Sequence, residues 1–143
     1  MDFFYYEDTL FRLPDPIFTK EFLQNILGEL ALGSSIEIIF CSNRYIEQVN
    51  AYYLAHNYPT DIITFAANQE FQNPTLFISV DTVSDNSEIF KVPFLQELFR
   101  VITHGILHLS GYNDSTETEK IIIHNKENYF LNKYYDVPRG TKK

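Results

Sequence analysis

Tryptophan is absent from the chain, and methionine and cysteine occur once each in 143 residues. A lone Cys41 excludes an internal disulfide. Its place in the apolar run Ile36-Glu37-Ile38-Ile39-Phe40-Cys41 predicts a small buried residue in a reducing, cytoplasmic setting. Long hydrophobic runs are missing too, since no stretch reaches the ~18 apolar residues of a membrane span. The opening Met1-Asp2-Phe3-Phe4-Tyr5-Tyr6-Glu7 lacks the basic residues and apolar core of an export signal, so a soluble protein with no membrane partner is expected. Basic residues are scarce: Lys and Arg number 11 against 19 Asp and Glu, a formal net charge of −8. Such a chain repels a polyanion at long range, so any RNA-directed function requires a local basic groove or a metal ion to offset the field.

Aromatic residues, by contrast, are plentiful. The 10 Tyr and 13 Phe within a 45% hydrophobic composition are enough to fill one core without tryptophan. The length is that of one domain, residues 1–143, with 137–143 expected as a loose tail. There is no internal repeat.

The chemistry-bearing stretch is His104-Gly105-Ile106-Leu107-His108-Leu109-Ser110-Gly111-Tyr112-Asn113-Asp114. Two His four residues apart on a helix project from one face, roughly 5–6 Å apart at Cβ, close enough to share one ion. Gly111 stands where a helix readily ends in a left-handed residue, and the returning chain can bring Asp114 to the same ion as a third ligand. The pattern H-x-x-x-H-x-x-G-x-x-D has the spacing of the metzincin zinc motif. Gly105, however, occupies the position of that motif's general-base Glu, and Asp114 that of its third His. A bland alternative is two half-buried histidines on an apolar helix; the added glycine and carboxylate favour a metal.

Around this stretch the periodicities alternate. Phe3–Tyr6 reads as a short strand and Leu13-Pro14-Asp15-Pro16 as a break. A helix follows from Thr19 as N-cap, with Phe22, Leu23, Ile26, Leu27 and Leu30 on one face and Gly33 as a stop. Ser35–Cys41 predicts a strand, and Ser42 caps a helix carrying Ile46, Val49 and Tyr53. Pro59 ends that connection, Asp61–Phe65 and Leu76–Val80 read as strands, and 66–75 as a loop. Asp81–Phe90 reads as a short polar helix or turn outside the core. Pro93 suits the first turn of the motif helix, whose broad apolar stripe from Phe94 to Leu109 implies burial. Thr116-Glu117-Thr118-Glu119 is a capping box for a last helix reaching about Tyr134. The predicted fold is α+β: a mixed β-sheet packed with helices, with a zincin-like metal helix and a cleft walled near Thr60-Asp61 and Ser79-Val80-Asp81.

Three motifs in order resemble the YbeY family of bacterial metal-dependent endoribonucleases, which act in ribosomal RNA maturation and ribosome quality control. They are His104-Gly-Ile-Leu-His108-Leu-Ser-Gly111-Tyr112, Pro59-Thr60-Asp61-Ile62-Ile63-Thr64-Phe65, and Phe77-Ile78-Ser79 with Glu127 further on. The resemblance implies a single α+β domain binding one zinc ion through His104, His108 and Asp114. It also implies single-stranded RNA, a ribosomal RNA precursor, as substrate and the small ribosomal subunit as partner. The family's usual third ligand is His. Asp114 is a harder oxygen donor, which admits Mn²⁺ beside Zn²⁺. An Arg usual in the family falls at Leu54, and Pro74-Thr75 replace a common Gly-Asp.

The expected reaction is attack on a phosphodiester by a metal-activated water. Arg100, one turn before His104, is a candidate phosphate contact or else a salt-bridge partner of Glu97 or Glu127. Thr60, Asp61 and His56 are substrate-side candidates with ordinary structural alternatives, and Asp61 is also a candidate base. Tyr112 reads as packing, Glu127 as a hydrogen-bond partner of a ligand His, and His124 as a neighbour on the last helix. The competing functions are a zinc-dependent peptidase, which the missing Glu at 105 opposes, and a non-catalytic ribosome-assembly factor with a structural zinc.

Overall fold

The structure, a computed structural model, describes residues 3–56 and 60–136. The expected break at Pro59 and the tail at 137–143 lie outside the described residues. The chain forms a four-stranded mixed sheet in the order β1-β2-β4-β3. Strands β1 (Phe4–Glu7), β2 (Glu37–Cys41) and β4 (Thr75–Ser79) run parallel, and β3 (Ile62–Phe65) closes one edge antiparallel to β4. Five α-helices accompany it among the described residues: α1 (Pro16–Glu29), α2 (Asn43–Leu54), α3 (Val80–Phe90), α4 (Phe94–Leu109) and α5 (Glu117–Phe130). The predicted α+β architecture is the observed one.

Side-chain alternation along the strands divides the interior. Ile38 and Phe40 on β2, with Leu76 and Ile78 on β4, face the larger core, which includes Leu23 and Ile26 of α1 and Ile102 and Ile106 of α4. Cys41, Phe77 and Ile63 face the other side, under Ile46 and Val49 of α2. With no tryptophan, aromatic rings fill much of the space: Phe22 meets Phe99 edge-on at 4.8 Å between centroids, and Tyr6 stacks on Phe40 at 5.6 Å. Cys41 is fully buried. That burial, aided by the nearby charges of Asp81, Glu7 and Asp8, pushes its thiol up to about 12, so it stays an inert core residue.

Several boundaries differ from expectation. Helix α1 begins at Pro16, capped by the Asp15 side chain accepting from Phe18 N–H; Thr19 lies inside it, buried, its hydroxyl donating to Asp15 O. Asp15 caps better than Thr19 because the proline at the first helical position already has helical φ and no N–H to satisfy. Pro93 is likewise the N-cap of α4 rather than part of its first turn. Helix α3 contributes Val80 and Val83 to the large core, and Ser79 caps it, so Val80 starts a helix instead of ending a strand. The polar sequence of α3 reflects its outer face alone. The predicted Ser42 cap and the Thr116/Glu119 capping box are both present. The last helix continues from Phe130 into one π-helical turn, Leu131–Tyr135.

Helix α4 is the site's foundation. Gly105 lets it lie against the sheet: a Cβ there would stand 2.5 Å from Ile62 Cδ1, 3.0 Å from Leu76 Cδ2 and 3.2 Å from Thr64 Cγ2. Any side chain there would have to displace the ends of these three. The apolar side of α4 is thus pinned to β3 and β4, while His104 and His108 stand half-buried at its rim.

Candidate metal centre

The ligand-capable atoms of His104, His108 and Asp114 lie within 4.8 Å of one another. Helical spacing supplies the first pair. Their Nε2 atoms are 2.9 Å apart, and Asp114 Oδ2 is 3.2 Å from the first and 3.4 Å from the second. Gly111, with φ of 107°, makes the turn that brings Asp114 back over the helix end. Asp114 does not cap α5; Thr116 does, with Ser115 N–H and Thr116 N–H donating to Glu119. The carboxylate is therefore free of the competing structural role that its position suggests.

Tautomers follow from the far sides of the two rings. A carbonyl can only accept, so the 2.9 Å contact between His108 Nδ1 and Tyr112 O places a proton on Nδ1 and leaves Nε2 a lone pair. Glu127 Oε2, 2.6 Å from His104 Nδ1, orients His104 the same way. Two imidazole lone pairs and a carboxylate oxygen this close repel unless something positive sits among them. A shared proton or a divalent cation meets that need, and the donor set fits a metal ion. For His104, burial would lower the pKa. The Glu127 hydrogen bond, then the charges of Glu127, Asp114 and Asp61, outweigh it and raise the pKa.

Glu127 is itself held from behind. It is 5% exposed, and its Oε1 accepts from Arg100 Nη1 at 2.9 Å, while Arg100 Nη2 donates to Asn128 Oδ1 at 2.7 Å. Arg100 thus occupies the salt-bridge role and does not line the cleft beside the triad. His124 stands on the other side of Glu127, its Nδ1 3.7 Å from Oε1.

That cleft, about 530 Å³, is lined by the triad together with His56, Thr60, Asp61, Ile62 and Leu54. His56, Thr60 and Asp61 therefore come together with the metal triad, and Leu54 adds a hydrocarbon to the same wall. Ser79 and Asp81 do not wall it. They are turned to the helix N-termini, Ser79 Oγ donating to Asn43 Oδ1 and Asp81 Oδ2 accepting from Asn43 N–H. Burial raises the Asp61 pKa, outweighing the charge of His104 and then the backbone N–H groups of Asp61 and Ile62 and the Thr60 side chain, all of which lower it. Tyr112 packs its ring against the core and uses its carbonyl at the site. Two residues escaped the sequence reading. Asn50 lines the cleft at 2% exposure, and Asn128 anchors Arg100. An amide on the buried face of α2, between Val49 and Tyr53, was the available signal for Asn50.

Comparison with known proteins gives a consistent result. A family model described as Endoribonuclease YbeY matches residues 17–135. Among curated proteins named Endoribonuclease YbeY, that of Amoebophilus asiaticus is 35% identical over 132 residues, covering 90% of each chain. That of Karelsulcia muelleri is 39% identical over 137 residues, covering 92% of this chain and 96% of the relative. That of Phocaeicola vulgatus is 50% identical over 97 residues, 67% of this chain and 70% of the relative. The solution structure of TM1509 from Thermotoga maritima superposes with a TM-score of 0.67 at 22% identity, over 96% of this chain and 93% of that one, a likeness of fold. The chain belongs to the endoribonuclease YbeY family.

Proposed function

We propose that this protein is a metal-dependent endoribonuclease acting on single-stranded RNA. The observation that carries the reading is the convergence of two oriented imidazole Nε2 atoms and one carboxylate oxygen at the floor of an open cleft. His104, His108 and Asp114 would hold the ion, zinc being the natural match to two nitrogens and one oxygen, with Mn²⁺ the harder alternative. A divalent ion there supplies Lewis-acid polarisation of a phosphodiester oxygen and acidification of water. Glu127 and the Tyr112 carbonyl fix the two rings in the ligating tautomer. Asp61 is the other carboxylate among the described residues lining the cleft, and its raised pKa suits a group that accepts a proton from the attacking water. His56 and Thr60 offer hydrogen-bond donors for phosphate and ribose.

The family likeness supports ribosomal RNA precursors as substrate and the small ribosomal subunit as partner, in ribosome maturation and quality control. A peptidase reading is disfavoured by Gly105, since β3 occupies the space a general-base side chain would need. A purely structural zinc is disfavoured by the count of three converging protein donors rather than four among the described residues. The deciding experiment incubates the protein with single-stranded RNA, duplex RNA and a peptide library, with and without chelator. Chelator-sensitive cleavage of single-stranded RNA alone is expected; peptide hydrolysis without RNA cleavage would overturn the assignment.

A further inference from the structure

Linked to the metal cleft through the His104–Glu127–Arg100 hydrogen bonds is a second cavity of about 280 Å³, lined by Phe90, Val92, Gln96, Glu97, Arg100 and His124. It is formed where the end of α3, the start of α4 and the middle of α5 meet. Its distinctive member is Glu97. The residue is 5% exposed, and among the described residues its carboxylate has neither a hydrogen bond nor an ion pair within 4 Å. Among the described residues no fully enclosed side-chain oxygen lacks a partner, so the Glu97 oxygens keep a little exposure, and Glu97 lines the cavity. An ionisable group this buried and unpartnered is costly unless something donates to it.

The surroundings state what that donor must look like. Arg100 makes no hydrogen bond to Glu97 and is within 4 Å of no Glu97 oxygen; its terminal nitrogens donate instead to Glu127 and Asn128. Most of the surface the cavity exposes is apolar despite four polar lining residues, and Phe90, 60% exposed at the end of α3, is its aromatic member. The volume falls below the ~300–1,000 Å³ of sites for drug-sized ligands and suits one planar ring system. Its position relative to the metal is also set. Glu97 feels the charge of Asp61, which lines the cleft, and Arg100 and His124 flank the same Glu127 that holds His104.

We propose that this cavity is a nucleobase subsite, and that Glu97 selects guanine in the RNA strand beside the scissile phosphate. The inference rests on the single-stranded RNA reading above. Bases of unpaired RNA are recognised by stacking on aromatic rings and by hydrogen bonds on their Watson–Crick edges. A carboxylate only accepts. Guanine presents two donors side by side, N1–H and the N2 amino group, which match its two oxygens. Adenine and cytosine place an acceptor beside their amino group, and uracil flanks its single N–H with carbonyls, so each meets repulsion. Burial raises the Glu97 pKa, with Arg100 opposing and Asp61 and Glu127 adding to it. An incoming pair of N–H donors favours the ionised form.

The test uses guanosine, adenosine, cytidine and uridine, which carry no phosphate to engage the metal centre, titrated by calorimetry or NMR into the full-length metal-loaded protein. Guanosine should bind about tenfold tighter than the other three. Glu97→Gln should abolish that preference with metal content unchanged. Phe90→Ala, a change at an exposed ring, should weaken all four nucleosides while keeping guanosine first. Equal binding of the four, no binding at all, or an undiminished preference in Glu97→Gln would each overturn the subsite. If Glu97→Gln fails to fold, the wild-type ranking and Phe90→Ala decide. Because the nucleosides contain no phosphodiester bond, an absence of RNA cleavage would count against the proposed function and leave this measurement standing on its own. In a randomised single-stranded RNA that is cleaved, guanine should be enriched at one fixed offset from the cut.

Discussion

At the scale of residues, the site is a set of atoms each assigned one task by its neighbours. Asp114 contributes charge as well as an oxygen, and the capping of α5 by Thr116 removes its structural alternative. Asp114→Asn, which keeps size and loses charge, should therefore weaken metal binding markedly in a competition titration; an unchanged affinity would remove it from the ligand set. Glu127 does not itself line the cleft and acts through His104. Substituting Gln for it should lower metal affinity about 10–100-fold, the usual effect of losing an outer carboxylate, with the fold retained by circular dichroism. The pH dependence has a definite sign. His104 has a folded-state pKa raised above its ordinary 6.5, so in metal-free protein its contribution to stability is complete below about pH 6.5. That contribution is lost as pH rises through the raised value. Melts with chelator should show it fading on the alkaline side, and His104→Ala should erase the trend. Metal affinity should rise over the same window, because the ion displaces that proton.

At the scale of elements, α4 and β3 are one unit. The approach at Gly105 is what sets the two His beside the cleft wall that β3 provides. Gly105→Ala gains about 1 kcal/mol of helix propensity but must displace the ends of Ile62, Leu76 and Thr64, an overpacking that typically costs about 1–3 kcal/mol. A net loss of about 1 kcal/mol in urea unfolding is expected, with metal affinity falling in step as the helix is pushed off the sheet. A stabilised variant would show that the strand side chains can yield freely. Elsewhere α1 is tied to the end of α5 by Glu29, which accepts from Tyr129, Tyr134 and Lys133. Those hydrogen bonds, the two tyrosines foremost, hold the Glu29 carboxyl at about 2. This exposed knot gives its support above about pH 4.5 and loses it as acid approaches pH 2.

At the scale of the whole molecule, the problem is charge. A protein with a net charge of −8 must bind a polyanion through a local site. The described residues that line the metal cleft include no Lys or Arg, and Leu54 is the exposed large apolar side chain among them, 44% exposed. Leu54→Arg should raise affinity for single-stranded RNA at low salt and steepen the salt dependence by about 0.7 in log–log slope, one added phosphate contact. Fluorescence anisotropy at several salt concentrations reads both; an unchanged slope would place the RNA backbone away from α2.

The sequence by itself determined the elements whose signals are local. Helical spacing paired His104 with His108, and Thr116 and Glu119 wrote their own capping box. It also carried three motifs specific enough to indicate a family. Boundaries set by competition between neighbouring caps, as at Asp15 and Thr19, were not legible, because either residue satisfies the local rule and packing of Thr19 decides between them. Nor was the burial of α3, whose polar outer face dominates its composition. Tertiary structure alone decided which long-range partners meet. Glu127 was legible as a partner, but only packing of α5 on α4 chose His104 for it and took Arg100 out of the cleft. The same packing left Glu97 buried and unpaired. A sequence records which groups can donate or accept; which of them run out of partners depends on distances that only the folded chain sets.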